Sequence, residues 1–259
     1  MANTLWQQRI RRAQHLSTQH SFAAEILGFY IHIARFQEGL YQRIDSAFGE
    51  NAPDRRAGVA PALLQEEART VRPLPDQHDA GAMPNPLSAT LDLAELVTNF
   101  SAFLSLVEEK APARLAQVAH FLRNSSASSW SDLLSHCWST TGPPTDPQEF
   151  LALAFLQPCA ELVRFRAALQ PVGYTLSLCP FCNRKPALGV LRPQGDGARR
   201  GLVCGFCLAE WEFRRIVCPG CGEEDNARLP VYTAESFPYI RVECCDSCHT
   251  YIKSIDLTK

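Results

Sequence analysis

Four CxxC pairs in the last third of this 259-residue chain limit its possible folds more than any other feature. The chain has 11 cysteines and none of them lies in the first 136 residues. Two CxxC turns together supply the four thiolates of a tetrahedral metal site, because each turn points two sulfurs at one place. The eight paired cysteines are Cys179, Cys182, Cys204, Cys207, Cys218, Cys221, Cys245 and Cys248.

The spacing of the pairs predicts how they combine. The first and second pairs are separated by 21 residues, and the third and fourth by 23. Each gap has room for a hairpin, although both are slightly longer than the usual ribbon gap of about 15–20 residues. Sequential pairing therefore predicts two four-cysteine ribbons. The alternative joins the second and third pairs across ten residues and leaves the outer pairs 62 residues apart, which is less economical.

The two predicted ribbons open with the same C-P-x-C signature, at 179–182 and 218–221. This repeat favours metal sites over reversible dithiols. A ribbon of about 40 residues is too small to be stable through its own apolar core. The metal is therefore expected to contribute about 10 kcal/mol or more to folding. The spacing does not select the metal, because zinc and iron both accept four thiolates. A closed four-thiolate site has no open position for hydrolysis, so no catalytic residue is predicted.

The cysteines outside the CxxC pairs are predicted to be bystanders: Cys137, Cys159 and Cys244. The residue that follows the second cysteine of such a turn often adopts a positive φ angle. Gly222 suits that conformation, and Asn183 tolerates it. His249 stands at the same place in the last turn and is interpreted as a turn residue, with a substitute metal ligand as the alternative.

Residues 1–172 are expected to be helical. Apolar residues recur at steps of three and four in residues 20–46, which predicts one long helix. Further helices are predicted over 59–71, from a cap at Ser88, and over 111–123, with a proline-rich loop between the first two.

Two more helix starts are predicted from capping patterns. Residues 129–132 resemble a capping box for a short helix. Asp146 and the Pro-Gln-Glu that follows it combine an N-cap, a first-turn proline and a carboxylate at N3. The helix after Asp146 is apolar on most sides and is predicted to be central to a bundle, kinked or divided at Pro158.

The remaining chain is predicted to form hairpin strands at 187–191, 201–203 and 239–242. Arg199 and Arg200 follow the hairpin loop at 194–198, which is interpreted as a mobile tip rather than a binding element. The predicted fold class is therefore multi-domain, α plus small β. An N-terminal helical bundle is followed by two rubredoxin-like or zinc-ribbon-like four-cysteine knuckle domains. The predicted domains are 1–172 (all-helical), 173–214 (first ribbon) and 215–259 (second ribbon).

Charge argues against a nucleic-acid partner. The chain has 25 basic and 27 acidic residues, a formal charge of −2. Two tetrathiolate sites with divalent ions would each add about −2 to a ribbon region that is close to neutral. No basic footprint for a polyanion remains. The sequence has neither a leader-like apolar region nor a stretch long enough to span a membrane, so a cytoplasmic location with reduced thiols is expected.

The ribbon residues resemble the formate dehydrogenase accessory (formation) protein family, FdhE type. The resemblance is carried by the segments 179–182, 204–211, 215–221 and 243–253. The layout of two ribbons behind a helical domain is also similar to that family. The extra Cys244, together with Asn183 and His249 where a knuckle glycine is commoner, departs from the pattern.

The resemblance implies a cytoplasmic, non-enzymatic protein that is needed for active formate dehydrogenase. It implies binding to the catalytic subunit of that enzyme and rubredoxin-like iron at the eight paired cysteines, whereas general frequency favours zinc. Two other hypotheses are an iron-based one-electron carrier that acts on the same subunit and a nucleic-acid-binding zinc ribbon. Glu210, Trp211 and Arg215 lie between the ribbons and are the candidate partner-binding residues.

Overall fold

The computed structural model describes residues 2–50, 93–167 and 173–259. The helix predicted over 59–71, the proline-rich loop after it and the cap at Ser88 lie outside these residues. No helix among the described residues is both long enough and apolar enough to cross a membrane.

The N-terminal part of the chain is a bundle of α-helices. A 3₁₀ turn at Ser21–Ala23 connects the first two helices. In the described residues the helices are α1 Ala2–Gln19, α2 Ala24–Glu50, α3 Leu93–Lys110, α4 Ala113–Arg123, α5 Ala127–Ser139 and α6 Pro147–Ala167.

Helix α1 was not predicted, and the long helix expected over 20–46 starts only at Ala24. The apolar stripe of α1 is narrow, with Trp6, Ile10 and Ala13 buried and mostly polar residues between them. Such a thin stripe gives a weak 3.6-residue period. Besides this apolar contact, polar pairs attach the helix to its neighbours, such as Arg9 with Glu161, whose atoms Nη2 and Oε1 lie 2.6 Å apart.

The two capping predictions had different outcomes. The box at 129–132 was wrong, because α5 already begins at Ala127 and Ser126 is its cap, accepting a hydrogen bond from the Ser129 N–H (3.2 Å). The start of α6 is confirmed. Asp146 Oδ1 accepts hydrogen bonds from the N–H groups of Gln148 (2.7 Å) and Glu149 (2.9 Å). Ser129, the predicted N-cap, is therefore the third residue of α5.

Helix α6 is central to the bundle, as predicted, and contacts α2, α4 and α5. It is not divided at Pro158. Proline lacks the N–H that would donate to the carbonyl four residues earlier, which here is that of Ala154. The side chain of Gln37, buried in α2, donates its Nε2 hydrogen to that carbonyl instead (2.6 Å). The helix stays continuous because a neighbour satisfies the freed acceptor.

The C-terminal part of the chain forms one six-stranded sheet in the order β3-β2-β1-β6-β5-β4. The predicted strands lie within β1, β2 and β5. Each ribbon contributes one antiparallel hairpin and one further strand. The strands are β1 Pro186–Gln194, β2 Gly197–Cys204, β3 Glu210–Glu212, β4 Val231–Ala234, β5 Phe237–Cys245 and β6 Thr250–Asp256. The predicted fold class, a helical bundle followed by two four-cysteine ribbons, is confirmed. The domain boundaries at 172 and 214 stay predictions.

The ribbons meet where β1 and β6 run parallel and pair over three residues, beginning with Gly189 opposite Ser254. This approach needs a glycine. A Cβ atom at position 189 would lie 2.1 Å from Ser254 Oγ and 3.1 Å from Ser254 Cβ. The hydroxyl of Ser254 is buried and lacks a hydrogen-bond partner among the described residues. Close contact between the two strands therefore holds the ribbons in one sheet.

We expect Gly189→Ala to lower the free energy of unfolding by about 1–3 kcal/mol, because the added methyl group overlaps the Ser254 side chain. Chemical denaturation of the full chain measures this change. Ser254→Ala alone should be neutral or stabilising, since it removes an unsatisfied hydroxyl. The double change Gly189→Ala/Ser254→Gly should recover most of the loss. An equal loss in the single and double variants would contradict this account of the junction.

Candidate metal centres

The structure groups the eight paired cysteines as sequential pairing predicts. One cluster contains Cys179, Cys182, Cys204 and Cys207, and the other Cys218, Cys221, Cys245 and Cys248. In each cluster the four sulfur atoms lie within 4.8 Å of one another. The alternative grouping of the second pair with the third is wrong, because the hairpins β1–β2 and β4–β5 fold each ribbon back onto its own first pair.

The distances between sulfurs fit a four-coordinate metal ion. In the first cluster, the Cys179 and Cys207 sulfurs lie 3.5 Å apart, and those of Cys182 and Cys204 lie 3.4 Å apart. In the second cluster two sulfur pairs are each separated by 3.7 Å. A tetrahedral ion with metal–sulfur bonds of about 2.3 Å requires about 3.8 Å between sulfurs, whereas a disulfide requires about 2.05 Å. Both clusters can therefore hold a metal ion.

Each cysteine turn is closed by backbone hydrogen bonds and a residue with positive φ. The amides of Asn183, Gly222 and His249 donate to the carbonyl of the first cysteine in their turn, each at 2.9 Å. These three residues have φ angles of 57°, 80° and 56°. The interpretation of His249 as a turn residue is confirmed. The second turn uses Leu208, with a φ angle of 55°. Nothing in the sequence singles out Leu208, since leucine rarely adopts that conformation.

The two clusters differ in their access to solvent. All four cysteines of the first cluster are buried and belong to the same apolar core as the helical bundle. The ring of Phe206, between the cysteines of the second pair, lies edge to face with Trp138 of α5 at 5.9 Å. In the second cluster Cys221 is exposed and Cys248 is half-buried. The first site is thus a component of the interdomain core, and the second lies at the surface.

Arg184, directly after the first turn, joins the first cluster to the helical bundle. It is buried and donates hydrogen bonds to the carbonyls of Cys137 (2.5 Å) and Gly142 (3.0 Å). Its guanidinium lies over the ring of Phe206, 4.3 Å from the centroid. Burial lowers the pKa of Arg184, and the charge of nearby cysteines acts in the opposite direction. This cation beside four sulfurs was missed, because a single arginine after a CxxC turn carries no pattern.

Arg200, which follows the hairpin loop at 194–198, is buried. Its side chain is 2% exposed and donates to the carbonyl of Val217 (3.0 Å) and to Glu243 Oε2 on β5 (2.6 Å). Arg200 therefore connects the first ribbon to the second at the residue that precedes the cysteine turn starting at Cys218. Arg199 is exposed.

In the second cluster, hydrogen bonding favours the thiolate form of Cys248. The Thr250 hydroxyl lies 3.0 Å from the Cys248 sulfur, and this hydrogen bond lowers the pKa of Cys248 to about 6. The N–H of Gly220 donates to the Cys218 sulfur (3.3 Å). In the first cluster the N–H of Phe206 donates to the Cys204 sulfur (3.4 Å), and hydrogen bonds from neighbouring sulfurs lower the pKa of Cys204. Thiolates are the form that binds a metal.

The three candidate partner-binding residues are placed in different surroundings. Trp211 is 2% exposed and donates its Nε1 hydrogen to the Leu176 carbonyl (2.9 Å). Glu210 accepts two hydrogen bonds of 2.7 Å from Arg192 on β1. Arg215 is exposed in the segment between the ribbons. The partly exposed tryptophan that motivated this group is therefore a core residue, and Arg215 is the member available at the surface.

The remaining cysteines lie outside both clusters, as predicted. Cys137 and Cys159 are buried in the helical bundle, whereas Cys244 is half-buried on β5. Burial raises the pKa of Cys137 to about 11 and that of Cys159 to about 12. At pH 8 fewer than about one in a thousand of these thiols is ionised, so both are poor nucleophiles.

We expect iodoacetamide at pH 8 to alkylate Cys244 in the native protein and to spare Cys137 and Cys159. Because the pKa of Cys137 is raised, its thiolate appears only as the pH climbs towards 11, and its alkylation should accelerate over that range. Mass spectrometry of digested protein reads each site, and a urea-unfolded sample gives the reference rate. Native labelling of Cys159 at the unfolded rate would contradict its burial.

The cysteine turns of the first ribbon match a known family. Residues 178–215 match the family model described as "FdhE, central domain". A protein from Aquifex aeolicus named "Protein FdhE homolog" is 24% identical over 241 residues, covering 91% of this chain and 76% of that protein. The protein of the same name from Stutzerimonas stutzeri is 35% identical over 83 residues, which cover 31% of this chain and 27% of that protein.

A solved structure shows the same fold. The crystal structure of the FdhE protein from Pseudomonas aeruginosa superposes with a TM-score of 0.60 at 21% sequence identity. The alignment covers 99% of this chain and 84% of the Pseudomonas chain. The match spans the helical bundle as well as the ribbons. Together with the sequence matches, it confirms the predicted resemblance of this chain to the FdhE-type family.

Proposed function

We propose that this chain is an accessory protein for the maturation of formate dehydrogenase, acting in the cytoplasm on the catalytic subunit of that enzyme. The observation that carries the proposal is a whole-chain likeness to FdhE-type proteins combined with two complete four-cysteine clusters. The protein would hold two metal ions and present a surface to its partner, without catalysing a reaction itself.

The donor sets support structural metal sites. Each cluster offers four sulfurs at tetrahedral spacing, so a bound ion would have no coordination position left for substrate or water. Cys179, Cys182, Cys204 and Cys207 would hold one ion, and Cys218, Cys221, Cys245 and Cys248 the other. If that ion is iron, the site can also change valence by one electron. The burial of the first cluster suits a structural role.

We expect purified protein to contain two equivalents of metal and to release them at different rates. The ion at the second cluster should be lost to a strong chelator at least roughly tenfold faster, because Cys221 is exposed and the first cluster opens only with the interdomain core. Metal analysis and visible absorbance identify the ion, since ferric tetrathiolate is coloured and zinc is not. Cys221→Ser should leave one slow equivalent, and equal release rates would contradict the proposed asymmetry.

The contribution of metal binding to the stability of the fold should also differ between the two clusters. Cys204→Ser removes a ligand from a site that is shared with the helical core, so it should lower the melting temperature more than Cys221→Ser does. Thermal unfolding followed by circular dichroism measures both variants against Cys244→Ser, a cysteine outside the clusters. A larger effect of Cys221→Ser would show that the exposed site dominates stability.

The function itself is tested in cells that lack this chain and are complemented with variants. Replacing two cysteines in either cluster by serine should lower formate dehydrogenase activity by about tenfold or more, because loss of ligands removes the metal. The transcript of the catalytic subunit should stay constant, and Cys244→Ser should behave as wild type. Full activity with both clusters replaced would overturn the proposal.

A further inference from the structure

A cleft of about 750 Å³ lies between the two ribbons. Strands β1 and β6 pair in parallel only from Gly189 and Ser254 onward, so the chain segments before these residues diverge. The cleft lies in this fork, and the segment that connects the ribbons closes it on one side. Cys218 and Cys245 of the second cluster form part of its wall. The opening is thus a direct result of how the two ribbons join.

The lining of the cleft is strongly cationic. Its basic side chains are Lys185, Arg200, Arg215, Arg241 and Lys253, and its acidic side chain is Glu243. Glu243 is already bonded to Arg200 (2.6 Å). The Nη1 atom of Arg241 lies 3.9 Å from Oδ2 of Asp256, which is close to the longest distance for an ion pair. The described side chains therefore leave this cleft with a surplus of positive charge, which a divalent ion on the four thiolates of the second cluster would reduce by about two charges.

Three of these cations are available to a ligand. Lys185, Arg215 and Lys253 are exposed, and none of them forms an ion pair with a described residue. Arg200 and Arg241 stand behind them, and the Nε atom of each is buried without a hydrogen-bond partner among the described residues. Burial lowers the pKa of Arg200, whereas the charge and hydrogen bond of Glu243 act in the opposite direction.

The cleft also presents apolar side chains. Ile216 is 53% exposed, Val231 45% and Tyr251 65%, and all three line the cleft. A ligand that covers them needs apolar groups between its acidic groups. An extended peptide can provide this arrangement, because its side chains at positions i, i+2 and i+4 point to the same side and can alternate between acidic and apolar there.

The surrounding charge disfavours nucleic acid. Residues 175–259 carry 11 basic and 10 acidic side chains, and five of the basic ones line this cleft. The rest of the ribbon region therefore has six basic and nine acidic side chains. A nucleic-acid strand would extend past the cleft into this acidic surface, where its phosphates are repelled. A short peptide can place its few carboxylates within the cationic patch.

We propose that the inter-ribbon cleft is the docking site for an extended acidic peptide segment of the partner protein. Its carboxylates would contact Lys185, Arg215 and Lys253, and its apolar side chains would cover Ile216 and Tyr251. The proposal rests on the proposed function only for the source of the segment, which would be the catalytic subunit of formate dehydrogenase.

The direct test uses a fluorescein-labelled nonapeptide of the sequence EELLEELLE, in which glutamate and leucine alternate along each side of the extended chain, and fluorescence anisotropy with the full-length, metal-loaded protein. Wild type should bind it saturably. Lys185→Glu/Arg215→Glu/Lys253→Glu should weaken binding at least about tenfold, as should an increase in salt from about 50 to about 300 mM. A matched peptide with lysine in place of glutamate should not bind.

The control variant reverses three exposed arginines on the helical bundle that have no ion-pair partner among the described residues, Arg11→Glu/Arg12→Glu/Arg35→Glu. It has the same change in net charge as the cleft variant. It should bind within about twofold of wild type, because the reversed charges lie on the helical bundle and not in the cleft. If the charge-reversed cleft variant does not fold, Lys185→Gln/Arg215→Gln/Lys253→Gln replaces it. No binding of the acidic peptide, equal binding by the cleft variant, or preferential binding of a short single-stranded RNA would overturn the proposal.

A second arm uses the catalytic subunit of formate dehydrogenase as the probe in a pull-down with the same variants. Wild type and the control variant should retain the subunit, and the cleft variant should lose it. Retention by the cleft variant would overturn the cleft as the docking site while leaving the proposed function intact. Failure of wild type to retain the subunit would overturn the proposed partner. The peptide measurement alone would then test whether the cleft binds an acidic peptide.

Discussion

Four sulfur atoms that all lie within 4.8 Å of one another can all be thiolates only when a cation neutralises them. This electrostatic constraint underlies the C-terminal third of the structure. Each ribbon is a hairpin with one further strand, too small to be stable through its own apolar contacts. The turns that position the sulfurs use positive φ angles at three non-glycine residues, which carry a conformational cost. Ligand binding at the clusters can offset that cost, because it fixes both ends of each hairpin.

The protein adds its own cations next to the sulfurs. Arg184 lies beside the first cluster and donates to two carbonyls of the helical bundle, so charge compensation and domain attachment depend on one side chain. Arg200 has the corresponding place near the second cluster, where it bonds to Glu243 and to the carbonyl of Val217. Both arginines are buried, and removal of either would leave buried acceptors unpaired. The guanidinium groups at the edges of the cysteine clusters therefore add polar links to the apolar core shared by the bundle and the first ribbon and to the β1–β6 pairing between the ribbons.

Patterns that depend on residues near one another in the chain were predictable. Cysteine spacing identified the two clusters, and Asp146 with Pro147 identified the start of α6. Features that depend on contacts between residues far apart in the chain were not predictable. Pro158 predicted a kink or a division of the helix, but Gln37 from another helix satisfies the carbonyl that the proline leaves free. Trp211 was a candidate partner-binding residue, but it lies in the core and donates to the Leu176 carbonyl. Arg200 follows a hairpin loop, and nothing near it in the sequence indicates its contacts with Val217 and Glu243 of the second ribbon.

The unequal burial of the two clusters follows from the order of the elements along the chain. The first ribbon follows α6 directly and packs against α5, so its sulfurs lie within the bundle's core. The second ribbon attaches through the parallel pairing of β6 with β1 and through Arg200, and two of its four cluster cysteines, Cys221 and Cys248, are not buried. Because that pairing covers three residues only, the strands must diverge beneath it. The same short junction that joins the ribbons therefore leaves the cationic cleft beside the more accessible of the two metal centres.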